Sequence, residues 1–346
     1  MPSLSLMIHT ASPDAFLATL GIPSYFAALC ANLTHQSFQD FELVYVDTYH
    51  EQNRNPFAAT RVRTPFLVKH VPVHPAHRYW YDRNHCFIAA AKNTGILYSD
   101  GELLVTCDDA EFFPPEFLGA YWHHYRSGRY MHAMHKRLRS IQVADGYPIS
   151  PLTGDTYVND HRWRHVANGE HHIHQHGQLL YAGTSFSLHD GVNLNGYNER
   201  MDGCKSLDDC DFGNRLAMLG RSFALDPKGY AYILDHPSYG DIPTTIADGQ
   251  ETPLPAIVRR NLTNFIAVEN HGMLRCAKEL QDPVANRNPL TAAHWDIIRE
   301  DTIKYRHFDP LDPARTADLE IWKGTPTFNL AEERLALRRS PDWKWS

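Results

Sequence analysis

Between Gly101 and Leu118 three acids, Asp108, Asp109 and Glu111, follow directly on the apolar run Leu103-Leu-Val-Thr-Cys107. Carboxylate oxygens are hard donors suited to Mg²⁺ or Mn²⁺ carrying a phosphate. The run predicts a strand buried on both faces, and Pro114-Pro115 forbid its continuation. Ligands of open α/β sheets sit at the carboxyl ends of parallel strands, where these acids would lie. An acidic turn that merely ends a strand has the same composition, so the remaining elements must decide.

A second acidic group lies in Ser206-Leu-Asp-Asp-Cys-Asp-Phe-Gly-Asn-Arg-Leu216. Phe212, Leu216 and Leu219 fall at helical spacing and Gly220 ends the pattern, so a helix starts close to Asp208 and Asp209. Ser206 with Asp209 resembles a capping box with Asp in place of Glu. Acids are stabilised at a helix N-terminus whatever their function.

The elements that must position these groups alternate. Leu4–Ile8 predicts a strand and Ser24 caps a helix carrying Phe26, Leu29 and Leu33. Phe41–Val46 predicts the next strand, ending on Asp47. Strand, helix, strand implies a parallel sheet, with Asp47 placed to take a ribose or base. A helix from about Arg83 to Leu97, with Phe87, Ile88 and Ala91 inward, carries Lys92 and Asn93 and breaks at Ser99-Asp100-Gly101. Lys92 is either a solvated charge or a group that reaches a diphosphate. Leu179–Leu188 predicts a strand in which Gly183 admits a ligand or backbone. Phe223–Leu234 predicts a strand or strand pair ending at Asp235-His236.

Residues 119–180 show little regular apolar pattern and much His, Arg, Tyr and Trp. The run Glu170-His-His-Ile-His-Gln-His176 invites a zinc reading, but zinc histidines sit at fixed spacing on a supporting element. This run lies in a polar stretch, and a loop near an acceptor is the expectation. Trp122, Trp163 and Tyr181 are candidates for stacking on a sugar ring, and core packing explains each as well. Beyond about residue 240 the chain turns Pro-rich and polar, with helical stretches at 255–270 and 290–305.

The 346 residues, 43% apolar and 21% charged, describe a folded globular protein. A formal net charge of −7 argues against a broad grip on nucleic acid. The 6 cysteines form no CxxC pair and read as reduced thiols. No apolar run approaches the roughly 18 residues of a membrane span, and no basic-then-apolar signal opens the chain. Those features set the expectation of a cytoplasmic protein without integral membrane association.

Taken in order, these pieces resemble a GT-A glycosyltransferase of family 2 over roughly residues 4–236. The likeness rests on the opening strand with Asp47, on Ala91-Lys-Asn-Thr-Gly-Ile96 before Gly101-Glu102, and on the acidic strand end. It also rests on Gly196-Tyr-Asn-Glu199 followed by Leu-Asp-Asp-Cys-Asp-Phe-Gly-Asn-Arg-Leu. The resemblance implies a mixed, mostly parallel sheet flanked by helices in residues 1–240. A mostly helical or irregular extension, 241–346, would pack on it.

It further implies a nucleotide-sugar donor, most often UDP-linked, with Thr10, Asp47, Lys92, Asn93 and Asp108 on the donor side. A divalent cation (Mn²⁺ or Mg²⁺) would sit on Asp109 and Glu111, with His236 as a further ligand. Asp209 would be the general base for inverting attack, and Asp208 stands where the family has Glu. There is one departure: aligned on Pro115, Ala110 occupies the position of the second acid. Either Asp109 and Glu111 do its work, or Asp108 acts with Glu111. The acceptor is left open among a saccharide, a protein, a small molecule and, against the negative charge, a modified base on DNA. Retaining or nucleotidyl transfer, and a non-catalytic binding module, are the competing readings.

Overall fold

The structure is a computed structural model that describes residues 1–10, 14–48, 63–77, 88–157, 160–174, 183–197, 199, 208–234 and 329–340. Strand β1 (Leu4–Thr10) leads through helices α1 (Asp14–Thr19) and α2 (Tyr25–Leu33) to β2 (Phe41–Asp47) and β3 (Leu67–Pro72). Helix α3 (Ile88–Tyr98) precedes β4 (Leu103–Cys107), β5 (Glu111–Phe112) and α4 (Phe117–Arg126). Short strands come next: β6 (Tyr130–Met131), β7 (Met134–Leu138), β8 (Val143–Ala144), β9 (Tyr147–Pro148), β10 (Thr156–Tyr157) and β11 (His172–His174). The remaining elements are β12 (Thr184–Ser187), α5 (Leu188–Asn193), α6 (Asp208–Met218), β13 (Phe223–Leu225), β14 (Tyr230–Leu234) and α7 (Leu330–Arg339).

The main sheet has the order β12-β4-β1-β2-β3. β1 pairs in parallel with β2 and β4, β2 pairs in parallel with β3, and only β12 runs antiparallel. The expected mixed, mostly parallel α/β sheet is present. The register sets Thr10 beside Asp47 and Ile8 beside Cys107, so β1, β2 and β4 deliver their carboxyl ends to one edge. β2 and β4 are buried along their whole length, as a strand covered on both faces requires. A second sheet, β10-β7-β14-β5, takes up the chain after the acidic turn through β5, and a third, β11-β13-β6, lies against β12 through β6.

Local signals explain the flanking helices. Ser24 caps α2 by accepting from the Ala27 amide at 3.4 Å. Helix α3 is buried from Ala89 to Leu97, so it behaves as a core helix and not as an amphipathic one. Its terminal carbonyls are met by a residue far away in sequence. Arg334 of α7 donates to the Ile96 carbonyl at 2.8 Å, to that of Leu97 at 2.6 Å, and to that of Ser99. Under the same helix end, buried Lys69 joins Glu42 at 2.8 Å and Asp100 at 2.7 Å. Burial pulls Lys69 down to about 8 against the pull of Glu42.

The structure answers three points that the sequence left open. The described part of residues 119–180, where little regular apolar pattern was read, holds most of α4 and several short strands. Phe223–Leu234 makes two strands in different sheets, parted by a turn in which the Gly229 amide donates to the Asp226 carbonyl. Gly183 (φ +79°) admits a close protein neighbour, one of the two alternatives: a side chain there would strike Ala133, and Tyr121 donates to its carbonyl. The Ser206 cap, the 255–270 and 290–305 helices and the boundary near residue 240 lie outside the described residues.

Replacing Arg334 by Ala removes a charged donor from α3's carbonyls and is expected to cost about 2–3 kcal/mol. A lower urea midpoint at unchanged slope is the predicted reading; an unchanged midpoint would show that water replaces the guanidinium at no cost.

Candidate active site

The carboxyl edge of the main sheet gathers Thr10, Asp47, Asp108 and Asp109. Thr10 donates to Asp109 at 3.3 Å from the neighbouring strand end. Asp47 is buried with His70 Nε2 at 2.9 Å from its carboxylate. Asp108 is 36% exposed, and His9 Nε2 lies 2.8 Å from it. The surrounding protein would by itself raise the Asp108 pKa. Hydrogen bond and charge from His9, with Lys92 and His135 behind, hold it well below the usual carboxylate range. Asp108 is therefore a fixed anion at the mouth of the edge. Ala110 turns the chain here with φ 59°.

That turn decides the fate of Glu111. Placed in β5, its side chain is 0% exposed and lies 3.2 Å from His135 Nε2. Burial raises its pKa, opposed by His135. Glu111 was expected beside Asp109 as a cation ligand; the structure turns it into the core because β5 pairs with β14. Among the described residues no group of three or more His, Cys, Asp or Glu forms a metal cage. The hard oxygens that fit a divalent cation at the exposed edge are those of Asp108 and Asp109. His236 lies outside the described residues.

Lys92 and Asn93, expected on the donor side, are each engaged with protein groups. The Lys92 ammonium is buried 2.9 Å from Asp208, the first residue of α6, and 4.9 Å from the centre of the Tyr197 ring. Burial would lower its pKa, but Asp208, Tyr197, Asp209 and Asp108 together hold it well above the usual value. Its charge is thus committed to the start of α6. Asn93 is 0% exposed and its amide is spent on the turn at Tyr197, accepting from the Tyr197 amide at 2.7 Å and donating to its carbonyl at 2.9 Å. Asn93 also donates to Glu199 at 2.8 Å. Gly196 (φ +66°) sits so close to Asn93 and Leu330 that any side chain would collide with both. Tyr197 completes the assembly by stacking on Phe212 of α6, ring centres 4.3 Å apart. Asp209, next along α6 from Asp208, is half-buried.

The arrangement therefore brings two acidic ends, β4's and α6's, around Lys92. Four histidines that matter to it, His9, His70, His77 and His135, were not singled out from sequence. His9 and His70 end or line strands, and no periodicity marks a histidine as a carboxylate partner. A cleft of about 700 Å³ lies elsewhere, at the amino end of β4, among Glu102, Tyr130, Asp190 and Arg221. Its acids are already bound, Asp190 by Arg221 at 2.6 Å and Tyr130 at 2.6 Å, and Glu102 by Tyr125 at 2.6 Å.

His77 offers a direct test of this wiring. Its Nε2 lies 2.8 Å from Glu333, and its Nδ1 faces Glu199. Burial would lower its pKa, but the two carboxylates push it up to about 10 from 6.5. The folded state holds this proton more tightly, so the stabilisation is complete below pH 6.5 and lost as pH rises through about 10. The gap in melting temperature between wild type and His77→Gln should accordingly narrow across that window. A gap constant with pH would mean that His77 folds as a neutral ring.

No family model and no curated protein matches the chain. Among solved structures it is similar to S. aureus TarS 1–349 in complex with UDP, at 15% identity over 90% of this chain and 73% of that one, TM-score 0.45. It is likewise similar to the same protein with UDP-GlcNAc (13% identity, 92% and 80% covered, TM-score 0.47) and without ligand (13%, 94% and 93%, TM-score 0.47). The likeness is distant, and the chemistry of this chain rests on its own residues.

Proposed function

We propose that the chain is an inverting glycosyltransferase that moves a sugar from a nucleotide donor, most consistent with a UDP-linked one, to an acceptor hydroxyl. The observation that carries the reading is the pairing of two acidic ends around Lys92: Asp108 and Asp109 at the sheet edge, Asp208 and Asp209 opening α6. The sequence resemblance to family 2 supports the same division of labour.

In this reading the donor nucleotide lies along the ends of β1, β2 and β4, with Thr10 and Asp47 on the base and ribose side. Asp108 and Asp109 would hold a divalent cation, whose charge offsets that of the leaving diphosphate when it is bound. Asp209 takes the acceptor's hydroxyl proton as that oxygen attacks the anomeric carbon. The new carbon–oxygen bond forms as the bond to the diphosphate breaks, with inversion. Asp208 is tied to Lys92 and does not serve as the base; it fixes the helix start that presents Asp209. Lys92 contributes through that tie, not by direct contact with the diphosphate.

Asp209→Ala is expected to lower turnover of the nucleotide sugar by about 10²–10⁴-fold with donor affinity nearly unchanged. Normal turnover in that variant would remove Asp209 from the role of base. A full rate in Asp209→Asn would favour retaining transfer. Activity should also vanish in EDTA and return with Mn²⁺ or Mg²⁺, whereas full activity in EDTA would refute a cation on Asp108 and Asp109.

A further inference from the structure

Helix α7 lies far from the site in sequence and grips it from behind. Asn329 caps it by accepting from the Ala331 and Glu332 amides. The Leu330 amide donates to Asn195 at 2.9 Å, and the fully buried Leu330 side chain closes over Gly196. Three residues after Leu330, Glu333 meets His77, whose other nitrogen meets Glu199. Ionised carboxylates only accept hydrogen bonds, so a ring engaged by one on each nitrogen donates twice and is an imidazolium. Glu199 in turn accepts from Asn93, the neighbour of Lys92, and Lys92 holds Asp208. Arg334 anchors the helix to the end of α3, which carries both residues.

We propose that α7 is a positioning clamp for the acidic pair at the start of α6, and that His77 is its central positioning residue. The path runs Glu333, His77, Glu199, Asn93, then across one residue of α3 to Lys92 and Asp208. Four of its links are buried or half-buried contacts with fixed donors and acceptors, and the step from Asn93 to Lys92 runs through the backbone of α3. A helix of this length is marginal alone and is held by its tertiary contacts. Its first turn carries Glu332 and Glu333, the sign that a helix N-terminus favours. The turn at Gly196 and Tyr197, with Glu199, is thereby fastened from two sides, by Asn93 and by α7. Loosening one side frees the turn that stacks Tyr197 on α6. The clamp's effect on turnover rests on the reading of Asp209 as base; its effect on the turn does not.

The experiment uses the full chain carrying Glu333→Gln, a change on a part-exposed side chain that leaves the core intact, with Glu333→Asp as the charge-preserving control. Amide hydrogen exchange of residues 195–199 and 208–212, and kcat and KM on a UDP-linked sugar, are measured together. The expected result is faster exchange in both segments and a kcat lowered about 10-fold with KM nearly unchanged, largely restored by Glu333→Asp. A lower melting temperature with unchanged exchange and unchanged kcat would overturn the proposal, reducing α7 to a stabilising strut. Should wild type turn over no nucleotide sugar, the glycosyl-transfer reading falls, and exchange alone still decides whether α7 holds the turn.

Discussion

A buried ammonium must meet a carboxylate, and in this chain that requirement ties the two halves of the site together. Lys92 sits on α3, a helix enclosed by protein from Ala89 to Leu97. An unpaired cation there would cost several kcal/mol. Asp208 meets it at 2.9 Å, which pins the first turn of α6 against α3. The position of Asp209 is set by that pairing. The neighbouring Asn93 amide adds the second constraint by holding the Tyr197 turn, and Tyr197 stacks back onto α6. One helix face thus fixes a turn, a helix start and the acids on it.

The sheet edge obeys a different rule. Parallel register brings Thr10, Asp47 and the end of β4 level with one another, so several acids crowd one border. Imidazoles line this border: His9 lies on Asp108, His70 on Asp47 and His135 on Glu111. Each of these three carboxylates has its own histidine. The consequence is a division of the acids by accessibility. Asp108 and Asp109 stay at the mouth, while Glu111 is drawn into the second sheet by β5.

Much of this architecture was legible in the residues. Largely apolar runs located β2 and β4 within a residue or so, because strands covered on both faces need them. The Ser24 cap, the breaks at Gly101 and Gly220, and the acidic end after Cys107 were equally plain, since each has a local cause. Side-chain partners were not. Asn93 read as a donor-binding residue, and nothing in its neighbourhood announces that its amide closes a turn more than one hundred residues away. Lys92 read as either a solvated charge or a diphosphate contact, and its partner Asp208 is equally remote in sequence. Glu111 read as a metal ligand because spacing along the chain cannot tell that Ala110 takes a positive φ and turns the next side chain inward. His77 gave no signal at all: it sits in a short Pro-Ala-His turn, and both its partners are remote.

The central claim is that the acidic sheet edge receives a nucleotide sugar with a divalent cation. The most direct test is the melting temperature of the full chain against a panel of UDP-linked sugars, each with and without Mn²⁺. A ligand that binds only the folded state at 100 times its Kd adds about 2.7 kcal/mol, enough to move the transition clearly. The account predicts an upward shift with one donor that requires Mn²⁺. No shift with any donor, with or without the cation, would contradict it and favour a fold that has kept its acids without the chemistry.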